Sequence, residues 1–356
     1  MTYYLFFVAT SILALAGNYK FKNIVVTILI IALALFAGSR TEIAPDFKMY
    51  KNFFRFSEDS YKDFVENNVT LEPIIYIIPN FLKLFFGSKT DIINGSFLCF
   101  AFLGVATKLI ALKKYANNFF LGFIIYFTYL YLMMEMITIR AGIAGGVFLL
   151  SLPYLYKGMY KKSFLMMCLA MLFHTSSVIF FVIFFLMRLN INIKYYYYSL
   201  LLSFILIATK VNLLTLLLLD RVFPKVKAYL DLMEKTKEED VNIFSFRILI
   251  ALFMTVFLGF YYDKLKKIEG FEVLFRIHII SLFLFFSFSV TASVFSIRTF
   301  ELLSVVQLLL FPMLTYAFAP KFKYIAWVIL IVFSLAQLYY MIDISEFFEQ
   351  YKSWLF

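Results

Sequence analysis

Three arginines, Arg40, Arg140 and Arg298, stand at the ends of long apolar runs. A guanidinium holds its charge at any ordinary pH and offers paired donors to phosphate or carboxylate oxygens, so fixed cations at such positions suit a polyanionic group such as a diphosphate. Three other residues can exchange a proton with a substrate. His174 carries an imidazole, which ionises near pH ~6.5 in water, and Asp46 and Glu72 carry carboxylates in a polar stretch that also holds Tyr50. Ionisable groups at or within an apolar run are costly, so each calls for a partner or a function.

Each candidate also has a plain structural account. Arg40 can be an interfacial anchor whose stem snorkels. Arg140, in EMITIRAGIAGG, can pair with Glu135, and Arg298 with Glu301 three residues on. His174 lies about ten residues past a lysine-bearing loop in FLMMCLAMLFHTSSVIFF, near mid-membrane if the helix is straight, where a neutral histidine can serve packing alone. His278, beside Arg276, reads as structural or interfacial, and most acids of a wet loop do nothing further.

The elements that must position these groups are membrane helices. The 356 residues are 63% hydrophobic and 21% aromatic with only 15% charged, a composition that no soluble globule can bury. Apolar runs approaching the ~20 residues that cross a bilayer recur from end to end, which predicts an all-α polytopic membrane protein forming one membrane domain over 1–356. About eleven to twelve crossing or half-crossing helices are expected. The first fifteen residues hold no Lys or Arg, so the first apolar run reads as a retained span rather than a signal peptide. Lysines in the short loops 17–23, 113–118 and 157–162 place those loops in the cytoplasm. That register puts the polar stretch 39–72 outside, with a second outer loop at 220–243. Residues 73–87, PIIYIIPNFLKLFFG, are short, broken at Pro79-Asn80 and interrupted by Lys83, which favours an interfacial or re-entrant helix. A single span is expected over 164–187. The run 195–219 is either one long tilted span or a span plus a half-helix interrupted at Lys210 and Asn212.

Several classes are set aside. The net charge of +11 follows lysines in interhelical loops, not a basic face for nucleic acid. Cys99 and Cys168 lie inside apolar runs with no CxxC or Cys/His cluster, so no disulfide framework or zinc site is indicated. No glycine-rich phosphate loop and no DxD motif occurs, and no metal or cofactor is expected.

The order Gly38-Ser39-Arg40, Asp46 with Tyr50 and Phe54, Glu72-Pro73 before an apolar helix, Ile139-Arg140-Ala141 with Ala144, and Phe173-His174 with Ser176-Ser177 resembles the EpsG-like branch of the Wzy-type polysaccharide polymerases. The resemblance covers residues 1 to about 190 and continues more weakly through Arg298 and Pro312. Where that family tends to show Gly-Thr-Asp before the tyrosine, this chain has Ala44-Pro45-Asp46, which keeps the acid. The resemblance implies a bacterial inner-membrane glycosyltransferase acting on the periplasmic or exterior face. Its substrates would be undecaprenyl-diphosphate-linked oligosaccharides presented among membrane lipids, and its products O-antigen, capsule or exopolysaccharide. A chain-length regulator protein is an implied partner.

The chemistry fits that expectation. A diphosphate leaving group gathers negative charge as the glycosidic bond breaks, and Arg40, Arg140 and Arg298 can hold it. The acceptor hydroxyl needs a base, for which His174, Asp46 and Glu72 are the candidates, with Tyr50 as a loop residue that binds substrate. The rival expectation is a flippase for lipid-linked oligosaccharide, which would share the substrate but line a path to both leaflets.

Overall fold

The computed structural model describes residues 1–17, 21–55, 60–68, 72–189, 191–216, 218, 221, 241–290, 293–345 and 347–355. The expected outer loop 220–243 therefore falls almost wholly outside the described residues, as do 69–71 of the first loop. Within what is described the chain is all-α, and its only extended pairing is a single bridge between Arg40 and Ser353.

Five helical segments are long and apolar enough to cross a membrane: Lys89–Tyr115, Phe119–Met136, Ile139–Tyr156, Phe271–Ser289 and Pro320–Ile344. A bent pair, Val294–Ser304 with Gln307–Tyr316, supplies a sixth, and five shorter apolar helices of 10–17 residues accompany them. The chain is an all-α polytopic membrane protein. Large apolar side chains such as Leu5, Ile12, Ile24, Phe102 and Val256 stay exposed on the helix surfaces, where lipid rather than water is the solvent.

The described residues form two compact units, Met1–Phe181 with Phe311–Phe356, and Val182–Leu310. In the first, α1 is Thr2–Ala16, α2 Lys22–Gly38, α3 Phe47–Arg55, α4 Tyr61–Asn68, α5 Ile74–Leu82 and α6 Lys89–Tyr115. Next, α7 spans Phe119–Met136, with a π-helical stretch at Tyr126–Tyr131, followed by α8 (Ile139–Tyr156) and α9 (Tyr160–Phe173). The helix Lys323–Tyr339 returns to pack on α7.

The long helix α6 is the centre of this unit, packed along α2 and along α8, with α9 against α8. Small residues let the backbones approach closely, as membrane helices require. A Cβ on Gly38 would meet the Leu98 backbone at 2.8 Å, and one on Gly104 would collide with the Glu135 carboxylate. At nine residues α5 is ~14 Å long, less than half the hydrocarbon thickness. It carries Pro79 internally and leaves Ile77 and Phe81 exposed.

The single helix expected over 164–187 is broken. The helix α9 stops at Phe173, His174 is extended (φ −153°, ψ 119°), and Thr175–Val178 forms a 3-10 turn before Ile179–Arg188. Thr175, Ser176 and Ser177 supply the reason, since short hydroxyl side chains offer the backbone bonds that compete with a continuing helix. The run 195–219 resolves as a helix plus a fragment. Ile193–Thr209 ends where Lys210 turns left-handed (φ 51°), and Leu213–Leu216 restarts with Asn212 Oδ1 accepting the amides of Leu214 and Thr215 at 3.0 and 3.1 Å.

In the second unit Phe271–Ser289 packs against Ile193–Thr209, Phe246–Phe260 and Ser293–Ser304. His278 is fully buried there, with Nε2 3.1 Å from Thr255 Oγ1 and 3.2 Å from the Ala251 carbonyl. Of the two sequence readings, structural or interfacial, this burial fits the structural one.

Candidate active site

Four separate segments of the first unit bring Tyr50, Glu72, Arg140 and His174 together. Tyr50 comes from α3, whose apolar face of Phe47, Tyr50 and Phe54 is buried with the i, i+3, i+7 spacing of an amphipathic helix. Glu72 directly precedes Pro73, the cap of α5. Arg140 is the second residue of α8, and His174 sits in the break after α9.

The contacts converge on the Glu72 carboxylate. Arg140 Nη1 donates to Oε2 at 2.8 Å, while the Thr175 amide and hydroxyl both donate to Oε1 at 3.0 Å. His174 Nδ1 lies 3.4 Å from the same Oε1, an electrostatic contact longer than a good hydrogen bond. Arg140 Nε donates to the Tyr50 hydroxyl at 3.3 Å, and its guanidinium lies over the Tyr50 and Phe53 rings at 5.4 and 5.7 Å. The side chains are nearly enclosed, with Glu72 4%, His174 9% and Arg140 15% exposed.

The break at His174 explains the arrangement. Glu72 accepts the Thr175 amide, one of the orphan donors at the new turn, so the acid that pairs with Arg140 also fixes the backbone that presents His174. A carboxylate at Nδ1 favours the tautomer with its proton there, which leaves Nε2 as the basic nitrogen. Arg140 stands at the N-terminus of an 18-residue helix, where the helix dipole adds to its own charge in attracting an anion.

The other expected site residues take different places. Asp46 is half-buried immediately before α3, one turn ahead of Tyr50, whose amide donates to its carbonyl at 3.1 Å. Arg40 is 1% exposed rather than snorkelling into an interface. Its Nη1 donates to the Ala37 carbonyl at 2.5 Å, and its guanidinium lies over Phe97 and Phe47 at 5.0 and 5.8 Å. Arg40 Nε and Nη2 find no hydrogen-bond partner among the described residues, which is costly for a buried cation. Arg298 belongs to the second unit, exposed on Ser293–Ser304.

Glu135 does not pair with Arg140. It is buried against Lys108 Nζ at 2.6 Å and accepts from the Tyr126 hydroxyl at 3.0 Å, while Lys108 also donates to the Gly142 carbonyl at 2.7 Å. The apolar run 92–112 concealed this lysine, although a charge inside such a run is itself the signal. The pair ties α6, α7 and the start of α8 together two residues from Arg140. Among the described residues no group of three or more His, Cys, Asp or Glu side chains is disposed to hold a metal.

Fold and site define a class: a polytopic membrane protein with a nearly enclosed arginine, glutamate and histidine constellation. The model of the EpsG family matches residues 23–353, and the chain belongs to that family, which consists of membrane proteins of the polysaccharide-polymerase type. Searches among curated proteins and among solved structures return no match.

Proposed function

We propose that the protein is a glycosyltransferase that polymerises repeat units, moving a growing glycan from undecaprenyl diphosphate to a lipid-linked repeat on the outer face of the bacterial plasma membrane. The observation that carries this reading is the junction at Glu72, where one carboxylate joins a cation suited to a diphosphate and an imidazole suited to a hydroxyl proton. The acceptor oxygen attacks the anomeric carbon and the bond to the diphosphate oxygen breaks. The electron pair leaves with the diphosphate and the hydroxyl proton goes to His174 Nε2. Glu72 then stabilises the imidazolium so formed, much as a buried acid does beside a catalytic histidine in hydrolases.

Arg140 meets the charge growing on the leaving group, and Tyr50 holds the guanidinium by accepting from Nε. In this reading Arg40, with two unsatisfied N–H groups, is the second cation of the diphosphate site. Glu72 already accepts from Arg140 and Thr175, which favours an orienting role for it and leaves Asp46 as the reserve base. The outer face is supported by the helix ends. Arg140 opens α8 and His174 follows α9, whereas the loop joining those helices carries Lys157, with Lys161 and Lys162 starting α9, as a cytoplasmic loop would.

The test is the glycan made by cells carrying Arg140→Ala or His174→Ala at wild-type protein level. Surface glycan of a single repeat supports the polymerase, normal long chains remove both residues from the reaction, and complete loss of surface glycan favours a flippase instead.

A further inference from the structure

The polymerase reading uses the buried face of α3 and leaves its flank unexplained. Lys48 and Lys51 line that flank, and beside them opens a groove of about 710 Å³, a volume within the ~300–1,000 Å³ of small-molecule sites. The far wall is the chain's own C-terminal tail. The Thr41 amide donates to the Lys352 carbonyl at 3.0 Å and the Trp354 amide to the Ser39 carbonyl at 3.0 Å, so the tail is held as an extended segment along residues 39–43. Side chains of an extended segment alternate. Ser353 accordingly turns inward, donating to Ser39 Oγ at 2.9 Å, while Lys352 and Trp354 both line the groove.

The chemistry of the walls selects the ligand. Glu42 accepts from Lys51 at 3.2 Å and lies 3.8 Å from Lys48, so the acid offsets part of the lysine charge on one side, and Glu349 and Lys352 both line the tail wall. A nearly balanced wall suits neither a polyanion nor a lipid tail. Hydroxyl and amide groups from Thr41 and Asn94, charged donors and acceptors, and an indole that is 39% exposed suit a ligand rich in hydroxyls with flat apolar C–H faces.

We propose that this groove is an oligosaccharide subsite, which grips sugars of the substrate chain on the flank of α3 while Tyr50, on the same helix, addresses the reacting end. The inference rests on the polymerase reading for its substrate class. It gives the C-terminal tail a role in setting product length, because Trp354 and Lys352 hold the glycan between transfers.

The sequence has two tryptophans, Trp327 and Trp354, so the full-length Trp327→Phe protein in detergent reports Trp354 alone. Trp327 stacks on Phe120, and phenylalanine keeps that ring contact. The probe is a set of oligosaccharide fragments from partial acid hydrolysis of the producing cells' own polysaccharide. A saturable change in emission, weakened about tenfold by an added Asn94→Ala or Lys352→Ala, is expected. In cells, Trp354→Ala should shift the glycan to several-fold shorter chains, and Trp354→Phe should restore length, because the tail is held through its backbone. Fluorescence that does not change with fragment concentration, or wild-type chain lengths from Trp354→Ala, overturns the subsite. Saturable binding together with long chains from Arg140→Ala would instead keep the subsite and remove the catalytic reading.

Discussion

Arg140 Nη1 and Glu72 Oε2 meet at 2.8 Å across 68 positions of sequence, one at the start of a membrane helix and the other at the entry to the nine-residue α5. Both are largely enclosed, so each depends on the other for compensation of its charge. Breaking a buried pair by removing one partner costs roughly 3–5 kcal/mol, because the remaining charge stays desolvated.

Glu72→Gln keeps the shape and can still accept from Thr175, but loses the charge that holds Arg140 and His174. Long-chain glycan should fall by at least about a hundredfold, as for loss of a well-placed acid or base partner. The lost pair should also lower the protein level on a membrane immunoblot, so the yield is taken per protein, and long chains at wild-type yield would remove Glu72 from the site.

Arg140→Lys separates charge from geometry. Lysine keeps the cation but cannot bond the Glu72 carboxylate and the Tyr50 hydroxyl from one rigid plane. Polymer yield should drop about tenfold or more. A wild-type chain-length ladder would show that charge alone suffices.

The Lys108 and Glu135 pair is fully enclosed, and Lys108 also bonds the Gly142 carbonyl. Lys108→Met should lower the detergent-solubilised protein's thermal midpoint strongly. The double variant Lys108→Met with Glu135→Gln should be milder, since it leaves no bare charge. Equal midpoints for the two would contradict a coupled pair. Gly104→Ala, which places a methyl group against the Glu135 carboxylate, should also destabilise.

Arg298→Ala tests the second unit's share in the reading. Shortened glycan at normal protein level is expected, and unchanged glycan would leave Arg298 without a part in the reaction, with the Arg140 constellation untouched.

The class of fold is legible because hydropathy is a sum over many residues: nothing local could make 63% apolar residues soluble. Candidates are legible one residue at a time, since Arg40, Arg140 and His174 each stand at or within an apolar run and Glu72 closes the polar stretch before Pro73. Their pairing is not. Glu135 is close to Arg140 in sequence, yet it turns to Lys108 on α6, because proximity along the chain says nothing about which face a bent helix presents. The partner of His174 is hidden for a related reason. A straight helix through Thr175-Ser176-Ser177 offers no sign of Glu72, whereas the break there brings the ring to it. The tail at 347–355 gives no sign in sequence, because its position depends on backbone pairing with residues 39–43 that no periodicity announces.

The most direct test of the central claim uses the purified protein with its lipid-linked repeat and no nucleotide, with products resolved by size. A ladder of lengths that Arg140→Ala and His174→Ala both abolish is the predicted result. Repeats returned unchanged by the wild type, or an equal ladder from both variants, would contradict the account.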